Sequence, residues 1–297
     1  MRNFMKTIFG FKNVRITSLQ AARSISVNAN SNDEFSLHVL DEENEGIVVF
    51  NMNRPKAKNA ISKNLLRLFG EAIEMVKSDT TVRTVLLRSQ VPGIFCAGAD
   101  LKERAKMAPE EVGPFVSLAR KTISDFSNLP MPVIAVIDGA ALGGGLEMAL
   151  ACDLRVAASN AKMGLVETKL AIIPGAGGTQ RLPRLVGTSI AKELIFTARV
   201  LDGNEAHKFQ LVNHVTQQNE NGDAAYLKAL EVARQITPQG PIAVRMAKLA
   251  INKGIDCDLN TALTVEETCY EQVIPTKDRI EGLTAFREKR PPRYTGE

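Results

Sequence analysis

The stretch "DGAALGGGLEMALACD", residues 138–153, places three consecutive glycines directly before a segment with the composition of a helix. Glycine loses more backbone freedom on folding than any other residue, so alanine would stabilise a helix better at these positions. The glycines therefore indicate either tight packing of the backbone or the close approach of a ligand. The carboxylate of Glu147 follows them immediately, in the first turn of the predicted helix.

A second corner of the same kind is "VPGIFCAGADLKER", residues 91–104. The two corners follow predicted strands at 82–89 and 132–138, and loops at the carboxyl ends of neighbouring parallel strands meet over a common cleft. Backbone N–H groups near a helix N-terminus have no intrahelical acceptor, and two of them can converge on one oxygen as an oxyanion hole. For one corner alone, packing would be the better interpretation, but two corners flanked by acids favour a ligand site.

Two acidic residues belong to this pattern. Glu147 opens the helix after the glycines, and Glu167 ends the apolar, strand-like run at 162–167, just before the glycine-rich "GAGG" at 175–178. Two carboxylates in one cleft titrate as a coupled pair, so that one residue can serve as acid and the other as base. A helix cap for Glu147 and a surface salt bridge for Glu167 fit the spacing about equally well.

The hydrophobic pattern predicts an α/β core over 33–187 and a helical region over 188–297. Strands at 35–40 and 46–52 form a predicted hairpin, and apolar residues on one face of 62–78 predict an amphipathic helix. The other core elements are a helix at 109–128 and strands at 82–89, 132–138 and 153–158. Beyond Thr188 the pattern predicts helices at 188–198, 203–209, 223–236, 240–253, 257–273 and 276–290.

The composition excludes several classes of protein. No apolar run among the 297 residues is long enough to span a bilayer, so we expect no membrane insertion. The four cysteines and three histidines are scattered and predict no metal site. Neither glycine-rich segment completes a nucleotide-binding motif.

The first 32 residues differ from the rest of the chain. They contain five basic residues and no acid, whereas the remainder has 37 − 5 = 32 basic residues against 33 acids. A basic, hydroxyl-rich and amphipathic leader is typical of a mitochondrial transit peptide, so residues 1–32 predict import into the matrix. The nearly neutral remainder argues against a nucleic-acid-binding surface.

Four segments together resemble the crotonase, or enoyl-CoA hydratase, superfamily. They are "NRPKAKNAIS" (53–62), "FCAGADLKE" (95–103), "ALGGGLEMALACDLRVA" (141–157) and "IIPGAGGTQRLPRLVG" (172–187). The resemblance implies a spiral of ββα units, a C-terminal helical region for trimerisation, and a homotrimer or homohexamer. It also implies an acyl-CoA substrate and no metal or redox cofactor, because coenzyme A is part of the substrate.

The resemblance assigns individual residues to the site. The backbone amides of Ala99 and Gly144 would hold the thioester oxygen, Gly143 and Gly145 would leave room for the ligand, and Glu147 and Glu167 would be catalytic. The implied CoA-binding residues are Lys56, Ala57, Lys58, Ala97, Gly98, Asp100, Leu101, Phe286 and Lys289. Both acids are present, which favours hydration of an enoyl-CoA over isomerisation.

Within the family, the segments 96–107, 161–175, 191–203 and 288–297 resemble mitochondrial hydratases of leucine breakdown that act on a methyl-branched glutaconyl thioester. Ordinary short or medium enoyl-CoA chains are the alternative substrates. Arg104 and Lys169 lie near the motifs and are candidates to meet a distal substrate carboxylate.

This subgroup is associated with RNA binding through a lysine-rich helix, and RNA binding with vestigial or secondary hydratase activity is a further alternative. Here the corresponding helix, residues 62–79, has Lys63 and Arg67 but then Glu71, which is expected to pair with Arg67 and weakens that prediction.

Overall fold

The computed structural model describes residues 34–297. The predicted transit peptide, residues 1–32, lies outside this part of the chain. No helix within 34–297 is long and apolar enough to cross a membrane.

The described chain contains short strands in two sheets, joined and followed by helices. The strands are β1 (Phe35–Val39), β2 (Ile47–Met52), β3 (Thr84–Ser89), β4 (Ile94–Cys96), β5 (Val133–Ile137), β6 (Ala140–Leu142), β7 (Leu154–Ala158), β8 (Lys162–Gly164), β9 (Leu201–Asp202) and β10 (His214–Thr216). The core helices are α1 (Lys63–Lys77), α2 (Leu101–Arg104), α3 (Pro109–Ser127), α4 (Gly144–Leu150) and α5 (Gly178–Val186). The later helices are α6 (Thr188–Phe196), α7 (Gly203–Lys208), α8 (Ala224–Ile236), α9 (Pro241–Gly254), α10 (Leu259–Val273) and α11 (Lys277–Glu288).

The two sheets are built by a repeating pair of strands. The six-stranded sheet has the order β1-β2-β3-β5-β7-β10, and the four-stranded sheet has the order β4-β6-β8-β9. From β3 to β8, the first strand of each pair joins the larger sheet and the second joins the smaller one, before helical segments lead to the next strand. This progression is the predicted spiral of ββα units, and the predicted α/β class is confirmed.

The larger sheet is covered on both faces. On one face Phe35, Phe50 and Phe69 meet edge to face, with ring centroids 5.4–5.9 Å apart, and helices α1 and α3 pack there. On the other face α8 packs through small residues such as Ala225 and Ala229. All five residues of β5 are therefore buried, as its continuous apolar sequence predicts.

The hairpin and the helices agree closely with the sequence prediction, but several short strands differ from it. The glycine-rich corners were predicted to follow the strands at 82–89 and 132–138 directly, whereas β4 and β6 intervene. The run at 162–167 is a strand only to Gly164, and Glu167 begins a 3₁₀ turn. Three-residue strands are too short to show the alternation that identifies a strand in a sequence.

The region beyond Thr188 was predicted as helices alone, yet it adds one strand to each sheet. β9 pairs with β8, and β10 pairs with β7. Helices α9 and α10 pack against each other, and most of the exposed large hydrophobic side chains in the described residues lie between Leu249 and Phe286. The division of the chain at residue 187 into core and C-terminal region remains a prediction.

Candidate active site

The elements of the site follow three neighbouring strands of the smaller sheet. β4, β6 and β8 are adjacent and parallel, so their carboxyl ends lie at one edge. The segment with Gly98 and Ala99 follows β4, the glycines and Glu147 follow β6, and Glu167 follows β8. The expectation that the corners meet over one cleft is therefore met, although through strands that the sequence did not predict.

The two corners bring the amides of Ala99 and Gly144 close together. Gly98 has a φ of +97°, and a Cβ on it would lie 2.9 Å from the carbonyl oxygen of Leu142 and 3.4 Å from the nitrogen of Gly144. A Cβ on Gly144 would in turn lie 3.8 Å from the nitrogen of Ala99. Within residues 34–297, neither the Ala99 amide nor the Gly144 amide has an acceptor. Two free donors this close together are what an oxyanion pocket requires, and their assignment to the thioester oxygen remains a prediction.

The three consecutive glycines have different roles. Gly143 has a φ of +52°, and a Cβ on it would lie 3.2 Å from Oε1 of Glu167, so its absence lets that carboxylate approach the backbone at Gly143. A Cβ on Gly145 would instead overlap the carbonyl oxygen of Cys96. The prediction that Gly145 leaves room for a ligand is therefore wrong, because this glycine allows α4 to pack against β4.

Glu147 is buried and held by the backbone. Its Oε1 accepts hydrogen bonds from the amides of Ala176, at 2.8 Å, and Gly178, at 2.7 Å. Burial raises the pKa of this carboxyl, while the two amides and the charge of Arg181 oppose the rise. Hydrogen bonds to the charged form favour a carboxylate, so this cradle stabilises Glu147 in its ionised state.

Glu167 has the opposite surroundings. Its Oε2 is buried and has no hydrogen-bond partner in the described part of the chain. Burial, with a smaller contribution from the charge of Glu147, raises the pKa of Glu167 to about 7. Burial raises the pKa of both carboxyls, but the two loop amides favour charge on Glu147, whereas the pKa of Glu167 reaches about 7. Such a difference suits one carboxyl to act as a base and the other as an acid.

Both glutamates and both amides face one cavity of about 620 Å³. Of the predicted CoA-binding residues, Ala97, Gly98 and Leu101 line it as well. The rest of its wall is largely apolar and includes Ile61, Phe115, Val116, Leu170, Ile172, Ile173 and Pro174. Its volume is in the range of pockets that hold small organic ligands.

The other residues predicted to bind CoA lie outside this cavity. The side chain of Asp100 caps α2 and pairs with Arg54 at 3.2 Å. A 3₁₀ turn holds Lys56, Ala57 and Lys58 next to the segment that follows β4. There the carbonyl oxygen of Lys58 accepts a hydrogen bond from the amide of Ala97 at 3.0 Å. Phe286 and Lys289 lie at the end of α11, apart from the cavity lining. Their assignment to CoA remains a prediction.

Sequence reasoning missed two groups of supporting residues. The "GAGG" segment was considered only as a nucleotide-binding motif, which it does not complete, whereas the amides of Ala176 and Gly178 within it cradle Glu147. Arg181 donates to the carbonyl of Ala176 at 3.0 Å. Asn59 is fully buried and donates to the carbonyl of Phe95 at 3.0 Å, which ties the 53–62 segment to β4. The glycines in the first group were a usable signal, while a buried asparagine cannot be recognised from sequence.

The helix considered for RNA binding has its basic residues paired. Arg67 binds Glu71 at 2.6 Å, as expected, and Lys63 lies 3.3 Å from Glu111 on α3. These pairs reduce the positive charge that α1 presents and further weaken the prediction of RNA binding.

The chain is similar to known proteins along most of its length. Residues 42–297 match the model of a family described as enoyl-CoA hydratase/isomerase. The human protein "Methylglutaconyl-CoA hydratase, mitochondrial" is 65% identical over 275 residues, which cover 93% of this chain and 81% of the relative. The mouse protein "Enoyl-CoA hydratase domain-containing protein 2, mitochondrial" is 52% identical over 263 residues, or 89% of each chain.

A solved structure is similar over nearly the same region. The enoyl-CoA hydratase from Bacillus anthracis has a TM-score of 0.84 and 48% identity, covering 89% of this chain and all of that chain. The match to the family model and the identity to its members are both extensive, so the chain belongs to the enoyl-CoA hydratase/isomerase family.

Proposed function

We propose that this protein hydrates 3-methylglutaconyl-CoA by adding water across its 2,3 double bond. The observation that carries the proposal is the unlike environment of Glu147 and Glu167 in one cavity with two free backbone amides. An acid, a base and an oxyanion pocket are the groups that addition of water to an unsaturated thioester requires.

In the proposed mechanism, the thioester oxygen accepts hydrogen bonds from the amides of Ala99 and Gly144. Negative charge moves onto this oxygen as water attacks the β carbon, and the two amides stabilise it. Glu147 removes a proton from the attacking water, and Glu167 donates its proton to the α carbon. One water is consumed, and after the product leaves, a proton passes from Glu147 to Glu167 through solvent, which restores both glutamates. The two amides stabilise the oxygen charge and the addition is not a redox step, so the proposed reaction uses neither a metal nor a redox cofactor.

The choice of acyl group comes from the relatives. The human, mouse and rat relatives at 64–65% identity are all named methylglutaconyl-CoA hydratase, whereas the relatives at about 52% carry only the general enoyl-CoA hydratase name. We therefore assign this chain the branched, dicarboxylic substrate. These relatives are also named mitochondrial, and with the basic leader this supports a location in the mitochondrial matrix.

The proposed assembly is a homotrimer or homohexamer. Ile255 and Leu259, at the connection of α9 and α10, are 72% and 74% exposed in the single chain. Phe286 on α11 is 87% exposed. Large apolar side chains that are exposed in the single chain are typical of surfaces that other subunits cover.

The test measures loss of the absorbance of the conjugated thioester with 3-methylglutaconyl-CoA and crotonyl-CoA side by side. Glu147→Gln and Glu167→Gln should each lower turnover by about 10²–10⁴ with both substrates, because each removes one proton-transfer group. Retention of wild-type turnover by both variants would refute the mechanism. A strong preference for crotonyl-CoA would refute the assigned substrate and leave the hydratase assignment intact.

A further inference from the structure

One wall of the cavity carries two arginines that form no ion pair with any acid within residues 34–297. Arg104, at the end of α2, and Arg120, on α3, both line the cavity among apolar side chains such as Phe115 and Ile173. The proposed proton transfers and the oxyanion pocket use neither arginine.

Arg104 has no partner within residues 34–297. Its guanidinium makes no ion pair, hydrogen bond or ring contact there, and its side chain is half-buried. Two acids close to it in the sequence have other partners. Asp100 forms an ion pair with Arg54, and Glu103 accepts a hydrogen bond from the backbone amide of Lys63 at 3.2 Å. The charge of Arg104 is therefore available to a ligand.

Arg120 is held in place but is not neutralised. Its Nε donates to the carbonyl oxygen of Gly175 at 2.8 Å, which leaves the two terminal nitrogens free among the described residues. Gly175 belongs to the segment that continues into the cradle of Glu147. Arg120 is therefore fixed to the same wall of the cavity as Ile173 and Pro174.

We propose that Arg104, supported by Arg120, binds the free carboxylate at the far end of the acyl chain, so that the site selects dicarboxylic acyl thioesters. This inference rests on the proposed function and names what distinguishes the substrate from an ordinary enoyl chain. The planar guanidinium presents paired donors that match a carboxylate, and apolar surroundings strengthen the bond. Lys169, the other candidate from the sequence, is exposed and does not line the cavity.

The test compares Arg104→Gln with the wild type on 3-methylglutaconyl-CoA, crotonyl-CoA and the neutral analogue in which the distal carboxylate is an amide. The ratio of kcat/KM for the carboxylate substrate to that for crotonyl-CoA should fall about ten- to a hundredfold, mainly through KM, as expected for loss of one charged hydrogen bond. The wild type should discriminate against the amide analogue, and Arg104→Gln should not. Arg104→Lys should recover part of the ratio.

Lys102→Gln is the matched control, because Lys102 lies on the same helix, is exposed and does not line the cavity. It should leave the substrate ratio unchanged, and the melting temperature of each variant checks folding. An unchanged ratio in Arg104→Gln, or equal losses with all three substrates, would overturn the proposed subsite while the hydratase assignment stands. A wild type that hydrates crotonyl-CoA but not 3-methylglutaconyl-CoA would overturn both the subsite and the assigned substrate.

Discussion

Glu147 and Glu167 face the same cavity, but Oε1 of Glu147 accepts two backbone amides whereas Oε2 of Glu167 is buried with no partner in the described chain. The difference arises because Glu147 lies under the loop at 175–178, while Glu167 begins a 3₁₀ turn beyond the end of β8. Two identical side chains are thereby suited to opposite roles in proton transfer.

The first prediction concerns the pH dependence of turnover. Glu167 must be protonated to act as the acid, and its pKa is raised to about 7, mainly by burial. The rate should therefore fall as pH rises through about 7, since the proton is lost from Glu167 there. A profile of kcat/KM from pH 5 to 9 measures this decline, because kcat/KM reports the titrating groups of the free enzyme.

The variant Glu167→Gln provides the control for that profile. Its low residual rate should lack the decline near pH 7, because the titrating group has been removed. A decline that persists unchanged in this variant would show that another group is responsible.

The second prediction concerns Arg181 as a positioning residue for Glu147. Arg181 donates to the carbonyl of Ala176 at 3.0 Å and to Oγ of Ser124 at 3.4 Å, and its charge lowers the pKa of Glu147. Arg181→Met should lower kcat about tenfold and move the acidic limb of the pH profile to higher pH, because Glu147 then ionises less readily.

A purely structural effect of Arg181 would reduce activity without moving the acidic limb. Arg181→Lys retains the charge and should restore the limb toward its wild-type position. If both variants lose activity with the pH profile unchanged, Arg181 only supports the loop.

The sequence predicted the parts of this fold that have local periodicity. Helix α1 has a continuous apolar face, and α3 begins at Pro109 as predicted, so both were placed within one or two residues. Strands β4, β6 and β8 have three residues each and were missed or misplaced, although their adjacency brings the site together. Their pairing is a long-range property that no local pattern carries.

The candidate site was predictable as a set of residues but not as a set of contacts. Ala99, Gly144, Glu147 and Glu167 were identified from the motifs, and the structure places all four in one cavity. The amides that bind Glu147 come from residues 29 and 31 positions further along the chain. The direction in which these amides point cannot be seen in the sequence. The overlap that requires a glycine at position 145 cannot be seen either, because it arises only when α4 packs on β4.

The third prediction separates the glycines by their surroundings. Gly145→Ala should lower the free energy of unfolding by about 1–3 kcal/mol or more, because its Cβ would overlap the rigid backbone at Cys96. The control is Gly70→Ala in α1, where a Cβ would meet no atom within 4 Å. That variant should raise stability by about 0.5–1 kcal/mol, since alanine favours a helix interior. Denaturant unfolding measures both, and equal stability of the two variants would contradict the packing role of Gly145.

The last prediction tests the subunit interface. Ile255 and Leu259 expose most of their apolar surface in the single chain, and association would bury it. The double variant Ile255→Glu, Leu259→Glu should shift the protein from an oligomer toward a monomer in light scattering coupled to gel filtration, because burying two carboxylates without partners is strongly unfavourable. Leu227→Glu on α8 is the control, since Leu227 is another exposed large apolar residue but lies outside α9–α11. The oligomer should survive this control, and its survival in the double variant as well would place the interface elsewhere on the chain.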